Sequence, residues 1–326
     1  SLSEVSKAAD EMKIEVIFQP DDKTSFASLA TNRDSAFLIL NSHVMGKVLR
    51  FKKNVDGNRF AKNKRTGMQT SISGVESQWY SEVVEIPENG DIDLATSNPF
   101  EERVYLMYRS FLVPSTLYRL ESSKLTKIKT APSRFNEAMF ETHQYEAISQ
   151  DGTVIPYFII HKKGMVLDGT NPTIQTGYGG FEISMSPFYL GATGKVWLEK
   201  GGVYVVANIR GGGEFGPKWH KAALKENRMR AFEDFIAVSE DLISRKFTSP
   251  RHLAIQGGSN GGLLVGSVFV LRPDLYQGVI CQVPLLDMYR YHKLLAGASW
   301  TGEYGNPDDP KDAAAFAVIQ RYSPYQ

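Results

Sequence analysis

Short apolar runs separated by turn residues fill the first 130 positions. Lys13–Phe18, Ser35–Leu40, Lys47–Lys52, Ser81–Ile86, Arg103–Ser110 and Thr116–Leu120 are each rich in Val, Ile, Leu, Phe or Tyr. Pro20-Asp21-Asp22, Asp56-Gly57-Asn58 and Glu88-Asn89-Gly90-Asp91 punctuate them. This rhythm predicts an antiparallel all-β region. Ala36-Phe37-Leu38-Ile39 followed by Val48-Leu49-Arg50-Phe51 is echoed by Val104-Tyr105-Leu106-Met107 followed by Leu117-Tyr118-Arg119-Leu120. Radially repeated sheets such as propeller blades leave that trace, and so does an ordinary meander.

From about Ala131 the rhythm changes. Continuous apolar segments at Tyr157–His161, Thr173–Thr176, Val203–Ile209, His252–Gln256 and Gly278–Gln282 alternate with helical stretches, as in a parallel sheet covered on both faces. In Ala231–Lys246, Phe232, Phe235, Ile236, Leu242 and Ile243 recur at helical spacing, with Glu233, Asp234, Glu240 and Asp241 expected on the opposite face. The boundary between the two regions is expected near Thr130-Ala131-Pro132-Ser133.

The sharpest chemical signal is Gly257-Gly258-Ser259-Asn260-Gly261-Gly262, a G-x-S-x-G placed between an apolar strand and an apolar helix that ends at Arg272-Pro273. Strand, tight glycine turn, then helix is the context of a nucleophile elbow, in which the serine is strained, exposed and close to the positive end of a helix. Ser259 is therefore the candidate nucleophile. A second glycine run, Gly211-Gly212-Gly213-Glu214-Phe215-Gly216, satisfies G-x-G-x-x-G with acids at Glu233 and Asp234 about 20 residues on. It fails as a dinucleotide site, because Pro217 follows at once and the acids lie on a predicted helix rather than at a strand end.

Composition narrows the classes. The chain has 326 residues, about two domains' worth. Lys and Arg total 37 against 36 Asp and Glu, so no net field draws nucleic acid or an anionic membrane. The basic stretch Lys52-Lys53 and Lys62-Asn63-Lys64-Arg65 is read as a solvated hairpin tip. No apolar run reaches the length of a membrane span. The single cysteine, Cys281, has no internal partner and fits a reducing, cytoplasmic location. The N-terminus lacks Met and carries no signal peptide, so a cut chain whose export signal is missing, and hence a periplasmic location, stays open. The histidines His43, His143, His161, His220 and His252 show no helical ligand spacing, and neither a metal site nor a cofactor is expected.

Several further motifs stand in order: Gly177-Tyr178-Gly179-Gly180-Phe181, Ala207-Asn208-Ile209-Arg210 running into the second glycine run, Trp219-His220, Arg272-Pro273-Asp274-Leu275 and Trp300-Thr301-Gly302-Glu303-Tyr304-Gly305. With the elbow, they make residues from about Gln150 to Gln326 resemble the prolyl oligopeptidase family of serine peptidases. The first 130 residues resemble, more loosely, the last part of that family's propeller. The resemblance implies an α/β-hydrolase fold, a mostly parallel sheet with helices on both faces, preceded by part of an all-β propeller. Residues 1–130 would be the propeller part and 131–326 the peptidase domain.

It also implies roles. Ser259 would accept the acyl group, and the backbone N–H of Asn260 and the phenol of Tyr178 would form the oxyanion hole. Phe181, Trp300, Tyr304 and Leu285 would line a pocket for proline. The substrates would be short peptides. The family's catalytic Asp and His are expected beyond Gln326, and its early blades before Ser1, so the chain is expected to be incomplete at both ends and weakly competent alone. A triad of Ser259, Asp287 and His292 can be written and is rejected, because both residues precede the family's catalytic pair. Three alternatives stand beside this expectation: an oligopeptidase of other specificity, for which Glu182, Glu303 or Asp308 would supply the acid of a basic pocket; an esterase; and an inactive hydrolase serving as a binding module.

Overall fold

The structure, a computed structural model, describes residues 16–53 and 79–326. The basic stretch around Asp56-Gly57-Asn58 lies almost wholly outside the described residues, as does the beginning of the strand expected at Lys13–Phe18; positions 16–18 are not in a strand.

Two four-stranded antiparallel sheets come first. One comprises β1 (Thr24–Thr31), β2 (Ser35–Ser42), β3 (Met45–Lys53) and β4 (Trp79–Val84); the other comprises β5 (Gly90–Ser97), β6 (Val104–Ser110), β7 (Thr116–Glu121) and β8 (Lys124–Thr130). Each is a simple meander in chain order, the form of a propeller blade. The sequence echo falls on the same two strands of each sheet, β2–β3 and β6–β7. The blades stack face to face. Phe37, Ile39 and Val48 of the first meet Ile92, Val104, Leu106 and Leu120 of the second in one core cluster. The alternate residues Leu38, Leu40, Leu49 and Phe51 form a second cluster on the other face of the first blade. Hence β2 is buried on both faces.

The third sheet has the order β14-β13-β11-β12-β10-β9, with β9 at Phe140–Ile148, β10 at Val154–Lys162, β11 at Thr173–Gly177, β12 at Val203–Ala207, β13 at Leu253–Gly258 and β14 at Gly278–Gln282. The strands β12, β11, β13 and β14 run parallel. The sheet is mostly parallel, as expected, and the Tyr157–His161 segment supplies its antiparallel part: β10 pairs antiparallel with both β12 and β9. Burial on both faces makes a strand apolar whichever way it runs, so its composition carried no direction.

Alternation divides this sheet's two faces. Tyr157, Ile159, Val203, Val205 and Ala207 join the core under the helices α1 (Met229–Ser244) and α2 (Asn260–Leu271). Phe158, Ile160, Tyr204 and Val206 face the other way and meet Leu190, Leu198, Val44 and Phe111. Val44 sits at the β2–β3 turn and Phe111 just after β6, so each blade inserts an apolar residue from a loop into the hydrolase. Hydrogen bonds to backbone carbonyls fix both insertions: Leu190 N–H donates to that of Phe111 at 3.1 Å, and Gln144 Nε2 donates to that of His43 at 2.9 Å.

The helix over Met229–Ser244 buries one residue expected to face away. Asp234 is wholly buried, and Arg210 explains it: Nε donates to Oδ2 at 2.9 Å and Nη2 to Oδ1 at 2.6 Å, while Ser149 Oγ donates to Oδ1 at 2.6 Å. A bidentate guanidinium pair with further hydrogen bonds is the arrangement that makes a buried carboxylate tolerable. It anchors the loop leaving β12 to this helix.

Candidate active site

Ser259 stands between β13 and α2 with φ 57° and ψ −119°, a conformation that L-residues rarely adopt. The glycines around it are required by contact. A Cβ on Gly257 would lie 2.0 Å from the Gly261 carbonyl oxygen, and one on Gly262 would lie 2.7 Å from that of Gln282. The Ser259 N–H donates to the Gln282 carbonyl at 3.0 Å, which ties the turn to β14. Its side chain is exposed at the carboxyl edge of the sheet. As the first residue of a twelve-residue helix, Asn260 has a backbone N–H with no acceptor inside the helix, and that N–H lies at the positive end of the helix dipole.

The Tyr178–Gly180 segment passes directly beside this turn. A Cβ on Gly180 would fall 2.6 Å from Asn260 Nδ2, and one on Gly261 would fall 3.7 Å from the Tyr178 ring. Asn260 Nδ2 donates to the Tyr178 carbonyl at 2.6 Å. The elbow and the tyrosine loop are thus joined by a fully buried side chain.

That side chain belongs to a network the sequence did not reveal. Asn260 Oδ1 accepts from Tyr304 Oη at 2.6 Å and from Arg228 Nη2 at 2.8 Å. Arg228 has no solvent exposure, lies over the rings of Tyr304 and Phe232, and reaches Glu303 Oε1 at 3.4 Å. Glu303 Oε1 also accepts from the Phe181 N–H at 2.9 Å, and Oε2 lies 2.8 Å from His220 Nε2. Arg228 is a single charged residue before a helix, and nothing in its sequence context distinguishes it from a solvated one. Glu303 is fully committed to these partners, which removes it as a free acid for a basic pocket. Asp308 is likewise engaged, at 2.7 Å from Lys293 Nζ and 3.0 Å from His292 Nε2.

The four residues expected to line a proline pocket are placed differently. Phe181 is half-buried and meets Tyr304 edge-to-face, with ring centroids 5.8 Å apart. Trp300 and Leu285 are half-buried against the main core. Tyr304 is completely buried, so it supports Phe181 and Asn260 and presents no surface to solvent. The alternative triad is not assembled: Asp287 pairs with Arg290 and accepts from Gln326, while His292 faces Asp308. Among the described residues no histidine hydrogen-bonds Ser259.

The second glycine run serves packing. A Cβ on Gly211 would lie 2.3 Å from the Gly179 carbonyl oxygen, and one on Gly213 would lie 2.2 Å from that of Glu182. The run therefore lies against the loop that carries Tyr178 and Phe181. Within it Glu214 is buried, accepting from the Met185 N–H at 3.0 Å and from Asn208 Nδ2 at 3.3 Å through Oε1, with Oε2 unpartnered. Burial pushes its carboxyl up to about 7 from the usual 4.5. The folded protein thus holds this proton to a higher pH than the unfolded chain does, so stability falls as pH rises from 4.5 to 7, by about 3 kcal/mol. Glu214→Gln is expected to abolish that fall; thermal denaturation of both proteins at pH 5 and pH 8 measures it, and an identical loss in the variant would remove Glu214 as its source. Beside this loop a cleft of about 1240 Å³ separates the two blades from the hydrolase, with Asp22, Phe26, Arg109, Glu182, Phe188 and Trp219 among its walls.

Known proteins resemble this chain in sequence and fold. Residues 190–326 match the profile of the Prolyl oligopeptidase family. An uncharacterized peptidase of Sinorhizobium fredii is 43% identical over 318 residues, covering 96% of this chain and 41% of the relative. A prolyl endopeptidase of Elizabethkingia miricola is 39% identical over 243 residues, covering 74% of this chain and 34% of the relative. The solved structure of a post-proline cleaving enzyme from Rickettsia typhi superposes with a TM-score of 0.82 at 38% identity, over 97% of this chain and 43% of that one. The chain therefore spans about two fifths of the length of such relatives. With a blade-type β region, an α/β-hydrolase sheet and a strained serine at its elbow, the chain belongs to the prolyl oligopeptidase family.

Proposed function

We propose that the protein bearing this chain is a serine oligopeptidase that cleaves short peptides on the carboxyl side of proline. The observation that carries the proposal is the exposed Ser259 at φ 57° on a strand–helix turn with no room for side chains beside it. Oγ attacks the scissile carbonyl carbon and gives its proton to a general base; the C–N bond then breaks and the amine leaves with a proton. Water hydrolyses the resulting acyl-serine. The developing alkoxide is stabilised by the Asn260 N–H and by the Tyr178 hydroxyl, and the buried Asn260 side chain holds the backbone of the tyrosine loop beside the elbow. The family pattern supplies the base as a histidine oriented by an aspartate. His292 is not read as that base, because its Nδ1 is buried without a hydrogen-bond partner and its ring makes no hydrogen bond to Ser259. Cleavage by the Elizabethkingia and Rickettsia relatives, as their names describe it, is directed to proline. A flat indole at Trp300 suits a rigid, apolar ring.

The test is a fluorophosphonate probe together with a Gly-Pro fluorogenic peptide, applied to the intact protein. Labelling at Ser259 with turnover after proline supports the reading. Absence of labelling points to a binding module, ester turnover without peptide turnover to an esterase, and cleavage after basic residues to another specificity. Trp300→Ala is expected to lower kcat/KM after proline about tenfold more than after alanine, the scale of a lost apolar contact in a specificity pocket. An equal loss for both substrates would take Trp300 out of the pocket.

A further inference from the structure

The structure carries a second constellation, far along the sheet from Ser259, at its β9 edge. Glu141 and His143 stand two residues apart on β9 and so project to one face. His161 on β10 is the register partner of Glu141, which puts it on that same face. One nitrogen of each histidine and one oxygen of Glu141 all lie within 4.8 Å of one another. His143 Nε2 is 3.3 Å from Glu141 Oε2, and the two imidazoles stack with centroids 5.5 Å apart. This spacing is invisible to a search for helical ligand pairs, because on neighbouring strands the signal is an i, i+2 pair plus a cross-strand partner.

We propose that Glu141, His143 and His161 bind a borderline divalent transition ion, zinc being the best fit. The donor set, two imidazoles and a carboxylate, matches that class, and it leaves a fourth position for water. Three features argue for a site over a chance surface cluster. His161 is only 7% exposed. Its Nδ1 lies 2.9 Å from the Lys162 carbonyl oxygen, which can only accept, and 3.8 Å from Glu141 Oε1; Nδ1 therefore carries the proton, Nε2 keeps the lone pair a metal requires, and a turn of the ring must bring Nε2 to the ion. A metal-bound histidine usually has this outer hydrogen bond, which fixes ring and tautomer. Finally, Phe247 and Tyr145 stand beside the two rings, each with centroids 6.3 Å apart, while Glu141 and His143 remain half-open to solvent as an entry. Moderate closure of the three side chains on rigid strands completes the coordination. The ion would clamp the edge strand β9 to β10.

The experiment is zinc titration of the intact, chelator-treated protein against a chromophoric competitor. The parent protein should take up one equivalent, a large excess of magnesium should not displace it, and zinc should raise the melting temperature. His143→Gln changes a side chain that is 44% exposed and leaves the buried His161 in place. It should weaken binding by more than about tenfold, since even outer-sphere changes cost 10–100-fold, and Glu141→Gln should do the same. His252→Gln, an exposed histidine elsewhere, should change nothing. The proposal fails if the parent takes up no zinc, or if uptake and the melting shift survive in His143→Gln and Glu141→Gln.

Discussion

Alanine at position 259 is expected to lower kcat of the intact protein for a prolyl peptide by about 10⁶, the scale seen when a serine hydrolase loses its nucleophile. The loss is large because proton transfer, attack and the oxyanion hole all serve a bond that Oγ must form. Binding of the peptide should persist, since the pocket residues are untouched. Stability separates two effects at the same position. Ser259→Ala keeps a Cβ in the φ 57° conformation and should melt close to the parent. Ser259→Gly removes the Cβ and should be more stable by about 1 kcal/mol, the low end of the strain stored in such conformations. Turnover by fluorogenic assay and melting by calorimetry check both. Residual activity in Ser259→Ala within a hundredfold of the parent would mean that another group performs the attack. A glycine variant no more stable than the alanine one would mean that the turn is not strained.

The central strands were legible in the sequence and the edges mostly were not. β2, β3, β6 and β7 carry the apolar runs because they pair on both sides, and their buried faces demand Val, Ile, Leu and Phe. The strands that the pattern did not predict, β1, β5, β8 and β9, each lie at the edge of a sheet. Lys124–Thr130 is exposed along most of its length, so it needs no apolar face, and its pairing with β7 is fixed by backbone hydrogen bonds that composition does not record. The elbow was legible for a different reason: a backbone conformation hostile to side chains leaves glycines that no other constraint would place so closely.

Buried charge was the least legible feature. Asp234, Arg228 and Glu303 look in sequence like solvated residues of helix and loop. Each is buried because a partner from a distant segment reaches it, and that partnership appears only once the chain has folded. Truncating Arg228 would leave Glu303 and Asn260 facing an empty site in a dry interior, a situation that costs several kcal/mol. The network is therefore better probed through the group it aims.

That group is the tyrosine loop. Tyr178→Phe is expected to lower kcat by about 10²–10³ with KM little changed, the magnitude measured when one oxyanion donor is removed from a serine hydrolase. In the proposed role the hydroxyl acts on charge that exists only in the transition state, so its loss should appear in kcat and not in substrate affinity. The backbone carbonyl of Tyr178, held by Asn260 Nδ2 at 2.6 Å, is unaffected by the substitution, and the loop should keep its place. Labelling by a fluorophosphonate, whose reaction also builds negative charge on oxygen, should slow by a similar factor. A substrate comparison adds discrimination: ester and amide should lose activity together, because both develop the same alkoxide. If Tyr178→Phe kept full kcat, the phenol would have no part in the hole, and the Asn260 N–H would be left to stabilise the alkoxide without it. If KM rose and kcat held, Tyr178 would be a wall of the binding site, reached by the substrate and not by its transition state.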